Sequence, residues 1–320
     1  MTPAPESAVA DRPVLLVTGA SSGIGRATVL AAAEQGRHVV LVARGAGPLE
    51  ETAEECRARG AASALTVPLD VGDDDAVADL VASVLRRHGR LDAVVGCAGV
   101  VAYGRTESVP VEVFDAVLRT NLTGSVNLAR HVVPVLRRQG AGSLLLVGSV
   151  VGHLAVPMMS PYVLSKWGVR ALARQLAVEN RDRPGVQIGY VAPGGVDTPI
   201  YRQAANYAGY AGRPPPPVSS PERAARQVLA RLEQPWRPAQ LSLANDVLRF
   251  GFSFLPLLYD RLVGPAFPVG ATDLATRADP GPGNVLTPSE GGNRLRGGYP
   301  GAAGRLRANL RLRRRLPDLG

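Results

Sequence analysis

Cysteine is scarce in this chain of 320 residues, since Cys56 and Cys97 are the only two. Their separation fits neither a disulfide framework nor the ligand spacing of a zinc site. A disulfide-stabilised secreted scaffold and a zinc-binding module are therefore not supported, and no metal site is expected. A reducing, cytoplasmic setting is the expectation that follows.

Targeting signals and long apolar runs are also missing. Residues 1–12 contain neither a basic stretch nor an apolar core, so they are predicted to be a disordered leader rather than a signal peptide. The apolar stretch 250–259 is interrupted by Pro256 and is too short to span a bilayer. It is interpreted as a packed lid or a subunit contact, with an interfacial membrane anchor as the alternative.

The formal charge of +9 comes mainly from one end of the chain. Residues 291–320 hold eight arginines against the single acid Asp318, which places +7 of the charge there. The basic character therefore says little about the folded domain. A solvated tail is the preferred interpretation, no nucleic-acid partner is expected, and contact of residues 245–320 with an anionic membrane is the alternative.

Short β-branched apolar runs alternate with longer amphipathic stretches, which predicts an α/β fold with a doubly wound parallel sheet (Rossmann fold). The predicted strands are 14–18, 38–43, 64–68, 91–95, 143–148 and 186–191. The predicted helices include 23–35, 73–87, 111–138 and 160–180.

These elements predict a single domain over residues 13–265, with a substrate lid at about 196–265. Four consecutive prolines between Arg213 and Val218 predict a mobile loop, and Ser220 is a candidate cap for the helix that follows. Residues 266–320 are rich in glycine, proline and arginine, so they are predicted to be a largely unstructured tail without a core of its own.

A glycine-rich turn follows the first strand directly. Thr18 is followed by glycines at positions 19, 23 and 25, and a helix then begins. Such a turn lets a pyrophosphate approach backbone N–H groups at the positive end of a helix. An ordinary glycine turn is the alternative, but the strand-turn-helix context favours a dinucleotide site.

Tyr162 and Lys166 are spaced four residues apart on a predicted helix, so their side chains project from one face. Lys166 is the only lysine in a chain that otherwise uses arginine for positive charge. A compact ammonium lowers the pKa of a nearby phenol, which predicts Tyr162 as a proton-transfer residue.

These motifs resemble those of the short-chain dehydrogenase/reductase family over about residues 13–199. The turn from Thr18 to Gly25 matches the family's T-G-x-x-x-G-x-G pattern, and Pro193 to Thr198 matches its P-G-x-x-x-T segment. The resemblance implies an oxidoreductase that transfers a hydride between a nicotinamide and a carbonyl or alcohol, and a homodimer or homotetramer as the assembly. It also implies a catalytic tetrad of Asn121, Ser149, Tyr162 and Lys166.

Within that tetrad the resemblance gives Tyr162 the proton transfer and Ser149 the orientation of the substrate oxygen. Lys166 tunes Tyr162 and holds the ribose, and Asn121 positions a water that relays protons. The residues implied for cofactor binding are Thr18, Gly19, Ser21, Ser22, Gly23, Ile24, Gly25, Arg44, Asp70, Val71, Ala98, Gly99, Tyr162, Lys166, Pro193, Gly194, Val196 and Thr198.

The second strand ends in Ala43 and Arg44, where NAD-preferring members of the family usually carry an acid. An arginine at this place can bind a 2′-phosphate, so NADP(H) is the preferred cofactor and NAD(H) the alternative. A solvated arginine is the other interpretation of Arg44. Asp70 is interpreted either as a hydrogen-bond acceptor for the adenine amino group or as a helix cap.

The chain departs from the family pattern at Gly96 and Cys97, where two asparagines are usual. This puts the stability of that corner in doubt. His153, Leu154, Met158 and Met159 are expected to line the substrate pocket, with a surface-loop histidine as the alternative for His153.

Apolar residues around the predicted pocket and lid favour a hydrophobic substrate. A catalytically silent dinucleotide-binding regulator, and an enzyme with an added anion-binding tail, are the alternative functions. The complete tetrad argues against the silent regulator.

Overall fold

The computed structural model describes residues 12–234, 242–299 and 302–313. The strands are β1 Val14–Thr18, β2 His38–Ala43, β3 Ser63–Pro68, β4 Ala93–Gly96, β5 Ala102–Tyr103, β6 Gly142–Val147, β7 Val186–Val191, β8 Ala205–Asn206, β9 Tyr210–Gly212 and β10 Thr272–Arg277. The helices are α1 Gly23–Glu34, α2 Ala46–Ala58, α3 Asp74–His88, α4 Val111–Leu118, α5 Gly124–Gln139, α6 Ser160–Glu179, α7 Pro221–Glu233, α8 Leu243–Phe254, α9 Pro256–Ala271 and α10 Ala302–Arg313.

The central sheet confirms the predicted doubly wound fold. Six parallel strands lie in the order β3-β2-β1-β4-β6-β7. Connections run one way from β1 through β3 and the other way from β4 through β7, so the order reverses between β1 and β4. In such sheets, ligands bind beyond the carboxyl ends of the strands at this reversal.

Both faces of the sheet are buried, which explains why its strands are apolar at consecutive positions. In β1, Leu16 contributes to one hydrophobic cluster, with residues of α3, α5 and α6. Its neighbours Leu15 and Val17 point to the opposite face and pack with residues of α1, α2 and α7. The alternation of side chains along a strand therefore builds two cores from one sequence run.

Local signals fix several helix ends. Asp73 caps α3 by accepting a hydrogen bond from the Ala76 N–H at 3.1 Å, and Gly89 ends the helix in the left-handed conformation. Ser220 caps α7 by accepting from Arg223 N–H at 3.2 Å, as predicted, with Pro221 in the first turn.

The predicted long helix 111–138 is interrupted. It consists of α4 and α5 joined by a π-helical turn over Arg119–Thr123. Ser219, which closely follows the proline run, is bound through its backbone to the segment after β7. Ser219 N–H donates to Gly195 O at 2.8 Å, and Asp197 N–H donates to Ser219 O at 2.9 Å.

The C-terminal region differs most from prediction, because its described residues are packed rather than unstructured. Strand β10 pairs antiparallel with β9, and α10 packs on α9 and β10. Residues 284–297, which we call the strap, cross the end of the central sheet. The glycine and proline content of this segment predicts disorder. The strap is nevertheless ordered, because backbone hydrogen bonds to other elements hold it in place and it needs no core of its own.

Arg314, Arg315 and Asp318 of the predicted tail lie outside the described residues, as do residues 1–11 of the predicted leader. Within the described ranges, no helix combines the length and the apolar character needed to cross a bilayer.

His153 is buried beside the ring of Tyr190, so its interpretation as a surface-loop histidine is wrong. Neither ring nitrogen has a hydrogen-bond partner among the described residues. Burial lowers the pKa of His153 to about 4, and the charges of Arg170 and Arg249 act in the same direction. The imidazole is therefore neutral in the folded protein until strongly acid pH.

We predict that this histidine destabilises the fold in acid. The unfolded chain takes up the proton near pH 6.5, but the folded chain does so only near pH 4. The free energy of unfolding is therefore unaffected by this histidine above pH 6.5 and decreases as the pH falls from 6.5 to 4. The loss is about 3 kcal/mol at most. Urea unfolding of the parent and of His153→Leu measures it. Relative to His153→Leu, the parent should lose about 2 kcal/mol or more of unfolding free energy between pH 7 and pH 4.5. A difference between the two proteins that stays constant with pH contradicts the prediction.

Candidate active site

A cavity of about 610 Å³ opens at the carboxyl ends of the parallel strands, where the strand order reverses. It extends from Arg44 and Asp70 at one end, past Ser149 and Tyr162, to the side chains of α8 and α9 at the other. The cavity thus joins the predicted dinucleotide site to the predicted reaction site.

The glycine turn forms one wall of this cavity. Gly19 has a φ of 70°, and a Cβ placed on it would lie 2.9 Å from Ala98 Cα. A Cβ on Gly25 would overlap the Gly19 carbonyl oxygen. Only glycine fits at these two positions, and the result is a concave backbone surface at the N-terminus of α1. Such a surface suits a pyrophosphate, so the residues present fit a dinucleotide.

Most predicted cofactor residues line the cavity. They are Gly19, Ser21, Ser22, Gly23, Ile24, Gly25, Arg44, Asp70, Val71, Ala98, Gly99, Tyr162, Lys166, Pro193, Gly194, Val196 and Thr198. Thr18 is the exception, because it is buried behind the turn. Its hydroxyl accepts hydrogen bonds from the N–H groups of Cys97 and Ala98, both at 3.1 Å.

The hydrogen bonds of Thr18 hold the chain at the unusual Gly96–Cys97 pair. Thr18 fixes the end of β4 through the backbone, and the leucines around Gly96 would have to shift to admit a larger residue. A Cβ on Gly96 would lie 2.9 Å from Leu146 Cδ2 and 3.2 Å from Leu128 Cδ2. Burial raises the pKa of the Cys97 thiol to about 11, so it is neutral at physiological pH.

Arg44 is held by the strap at the same end of the cavity as Asp70. Its guanidinium donates to Val285 O at 2.9 Å and also to Asn284 O. Burial lowers the pKa of Arg44, and the charge of Asp70 opposes this shift. The solvated-arginine interpretation is therefore wrong, since the strap covers the side chain.

Two further contacts bring the strap against the cofactor site. Gly23 N–H, at the start of α1, donates to Arg294 O at 3.1 Å. Glu290 lies over the start of α2, where a Cβ on Gly45 would be 3.2 Å from Glu290 Oε1. Sequence analysis missed the strap because backbone carbonyls make its contacts, and no side-chain motif reports them.

Asp70 does not cap a helix, so that alternative is wrong; Asp73 caps α3 instead. The Asp70 Oδ1 atom accepts from Gly72 N–H at 2.9 Å, which holds the carboxylate in a turn at the cavity wall. The second oxygen lies 3.7 Å from the Arg119 guanidinium. The adenine contact stays a prediction.

The structure brings Ser149, Tyr162 and Lys166 together, as the sequence predicts. Ser149 follows β6, whereas the other two project from the first turns of α6. Lys166 Nζ lies 5.6 Å from the centre of the Tyr162 ring and donates to Val147 O at 3.0 Å. Ser149 Oγ accepts from Val151 N–H at 3.4 Å.

Burial shapes the protonation of this group. It raises the pKa of Tyr162 far above its ordinary value, and a hydrogen bond with the Ser149 hydroxyl opposes that rise. The sequence-based expectation that Lys166 lowers the pKa of the Tyr162 phenol is therefore not met, because burial has the larger effect. Burial also lowers the pKa of Lys166 to about 8. A neutral phenol thus lies beside an amine that titrates near physiological pH.

Asn121 lies in the π-helical turn between α4 and α5 and is fully buried. Its side chain accepts from Val100 N–H at 2.8 Å and donates to Val100 O at 3.0 Å and Ser165 Oγ at 2.9 Å. A Cβ placed on Gly99 would lie 3.3 Å from Asn121 Oδ1 and 3.7 Å from Lys166 Nζ, so the two side chains are close to each other. Asn121 therefore holds the loop after β4 near the lysine.

The segment after β7 forms the wall opposite the glycine turn. Pro193, Gly194, Val196 and Thr198 all line the cavity. Thr198 lies against the turn itself, because a Cβ on Gly23 would be 2.9 Å from Thr198 Cγ2. The cavity therefore narrows between these two backbone segments.

The far half of the cavity is apolar. Leu154 and Met159 line it as predicted, whereas His153 and Met158 do not. Sequence analysis did not assign the side chains that α8, α9 and the residue between them contribute, which are Val247, Leu248, Leu255, Leu258, Tyr259, Leu262, Val263, Ala266 and Phe267. Their apolar composition was visible, but not their orientation toward the tyrosine.

Known proteins are similar to this chain in sequence and in fold. A family model described as short chain dehydrogenase matches residues 13–207. A sepiapterin reductase of Chlorobaculum tepidum is 35% identical over 195 residues, which are 59% of this chain and 79% of that protein. An uncharacterized oxidoreductase of Bacillus subtilis is 32% identical over 258 residues, 78% of this chain and 71% of that protein.

Among solved structures, an alcohol dehydrogenase from the archaeon Thermococcus sibiricus, complexed with 5-hydroxy-NADP, is similar with a TM-score of 0.63 and 31% identity. The match covers 73% of this chain and 96% of that one. A short-chain dehydrogenase from Streptomyces avermitilis reaches a TM-score of 0.66 at 28% identity, covering 79% and 96% of the two chains. The chain therefore belongs to the short-chain dehydrogenase/reductase family and is an oxidoreductase that acts on carbonyl or alcohol groups with a nicotinamide cofactor.

Proposed function

We propose that this enzyme is NADP(H)-dependent, that its substrate is an apolar ketone, aldehyde or alcohol, and that Tyr162 transfers the proton. The observation that carries the proposal is the single cavity that joins Arg44, Tyr162 and the apolar side chains of α8 and α9. When bound, the nicotinamide supplies or accepts the hydride.

Tyr162 holds and delivers the proton. Its raised pKa keeps the phenol protonated at neutral pH, so it can donate to the oxygen of a carbonyl as that oxygen gains negative charge. Ser149 lies within hydrogen-bonding reach of the phenol and orients the same oxygen. Lys166 provides positive charge below its pKa of about 8, and Asn121 holds the backbone beside it.

The apolar lid supports the substrate class. A pocket lined by leucine, valine and phenylalanine gains most from a ligand with a matching apolar surface, because burial of that surface removes it from water. Charged substrates would lose hydration there without a partner, since charge burial is costly unless it is paired. Polar contact is concentrated at Ser149 and Tyr162, where the reacting oxygen would be held.

Arg44 supports the cofactor preference. Its two bonds to the strap use two of the five guanidinium N–H groups, and the side chain lines the adenosine end of the cavity. A 2′-phosphate placed there would gain a charge-assisted hydrogen bond in a half-buried setting. Glu290 of the strap opposes the same phosphate through like-charge repulsion.

A homodimer or homotetramer stays a prediction, as does the cytoplasmic setting. Exposed Leu164 and Trp167 on α6 offer apolar surface for contact between copies.

The first prediction concerns the Tyr162 hydroxyl. Tyr162→Phe removes only that group, so turnover should fall about a hundredfold or more while cofactor affinity stays nearly unchanged. Steady-state kinetics with NADPH and an apolar ketone measure turnover, and fluorescence titration measures cofactor affinity.

Tyr207→Phe is the matched control, because Tyr207 lies outside the cavity lining. The role fails if Tyr162→Phe keeps turnover within about threefold of the parent.

A second prediction concerns the charge of Lys166. The ammonium is lost as pH rises through about 8, so activity that depends on it should decline above that pH. In Lys166→Arg the positive charge persists, but the larger, planar guanidinium cannot reproduce the hydrogen bond that the ammonium donates to Val147 O in this buried site. We expect activity at least about tenfold lower, without the decline above pH 8. Near-parental activity with the decline intact would remove Lys166 from the mechanism.

A third prediction concerns the 2′-phosphate. Loss of its bond to Arg44 costs about 1.5 to 3 kcal/mol, or roughly tenfold to a hundredfold in affinity. NADPH should therefore bind more tightly than NADH. Ala43→Asp with Arg44→Ala should reverse the order, because a carboxylate accepts from a free 2′-hydroxyl and repels a phosphate. Titration of both reduced cofactors against parent and variant measures the two affinities.

Two variants separate this role from general effects. Arg59→Ala removes an exposed arginine at the end of α2 and should leave both affinities unchanged. Glu290→Gln removes the opposing charge and should strengthen binding of NADPH relative to NADH. Equal parental affinities for the two cofactors would show that Arg44 serves only to hold the strap.

A further inference from the structure

The helix pair formed by α8 and the first half of α9, residues 243–262, presents an unusual surface. It contains nine of the sixteen large hydrophobic side chains that are exposed among the described residues. They are Leu243, Val247, Leu248, Phe250, Phe254, Leu255, Leu257, Leu258 and Leu262. Phe254 is 70% exposed and Leu257 87%. A contiguous apolar surface of this kind marks an interaction site.

The pair is held to the domain by its polar and aromatic groups, the reverse of an ordinary surface helix. Asn245, the only buried residue of α8, donates from Nδ2 to Ala192 O at 2.9 Å. The Tyr259 hydroxyl donates to Ala155 O at 2.7 Å, and Phe252 packs edge-on between Tyr259 and Trp167. With the pair held in this way, Leu243, Phe250, Phe254 and Leu257 are exposed outside the cavity lining.

The exposed surface is continuous with the substrate cavity. Five of the exposed residues also line that cavity, namely Val247, Leu248, Leu255, Leu258 and Leu262. They form the rim of its mouth, so whatever covers the helix pair also adjoins the opening.

Positive charge lies at the opposite end of α9 from this surface. Helix α10 carries Arg305, Arg307, Arg311 and Arg313 and no acid. It packs on the end of α9, where Asn309 Nδ2 donates to Val269 O at 2.9 Å and Thr272 O at 2.7 Å. Arg307 and Arg311 are exposed, with Leu310 between them.

We propose that the helix pair inserts its apolar side chains into the surface of a membrane that carries anionic lipids. The arginines of α10 contact the headgroups, and the apolar substrate passes from lipid into the cavity. An interfacial helix with exposed phenylalanine and leucine, next to a basic segment, has the chemistry of such a contact. A second copy of this chain is the alternative occupant of the apolar surface, and the measurements below distinguish the two. The substrate path rests on the proposed function; the membrane contact does not.

Co-sedimentation of the full chain with vesicles tests the contact independently of activity. The parent should bind vesicles of phosphatidylcholine with phosphatidylserine, and binding should weaken with added salt. Phe254→Ser with Leu257→Ser should weaken it at least about tenfold, because two inserted side chains are lost. Neither residue lines the cavity, so turnover of a small water-soluble ketone should stay at the parental level.

Matched variants separate specific from general effects. Val111→Ser with Val178→Ser makes the same kind of change at two other exposed sites and should leave binding unchanged. Arg307→Gln with Arg311→Gln should abolish the preference for phosphatidylserine, whereas Arg86→Gln with Arg87→Gln, on α3, should not.

The proposal is wrong if the parent stays in the supernatant with both kinds of vesicle, or if Phe254→Ser with Leu257→Ser binds as the parent does. It is also wrong if that variant changes only the sedimentation coefficient of the lipid-free protein, because a second copy then covers the surface. Loss of vesicle binding with intact turnover of the soluble ketone supports the membrane contact even if the apolar substrate class is wrong.

Discussion

The active site depends on close backbone contact between the turn after β1 and the end of β4. Gly19 fits against Ala98 because it has no side chain, and Thr18 ties its hydroxyl to two N–H groups of the same segment. This contact leaves the N-terminus of α1 open beside the sheet. Without it, neither the concave surface for a pyrophosphate nor the placement of Gly99 next to Asn121 and Lys166 would exist.

Burial then sets the chemistry. Tyr162 and Lys166 are both shifted toward their neutral forms, because the protein around them solvates charge poorly. The bond from Lys166 to Val147 O and the π-helical turn that carries Asn121 keep these groups in place. A turn of this kind interrupts regular helix bonding and often occurs at functional sites. The site thus places a neutral phenol beside a weakly basic amine.

Two C-terminal elements give the common fold its particular character. The strap covers the end of the cavity that Arg44 lines and accepts hydrogen bonds from that side chain, whereas α8 and α9 line the apolar opposite end. Both lie beyond the residues that the family model matches, which end at 207. The shared domain therefore accounts for the reaction, and these later elements bear on which cofactor and substrate reach it.

The sequence by itself determined the sheet and the family of oxidoreductases to which the chain belongs. These features are local patterns: the apolar strands, the glycine turn, and Tyr162 four residues before the only lysine. Local patterns can be recognised from the spacing of residues along the sequence. Only the tertiary structure decided that His153 is buried away from the cavity and that the strap lies over Arg44. These outcomes depend on contacts between residues far apart in the chain, many of them to backbone carbonyls that every residue carries. Such contacts leave no mark on the sequence, because any residue can supply a carbonyl and only the folded chain decides which one is near.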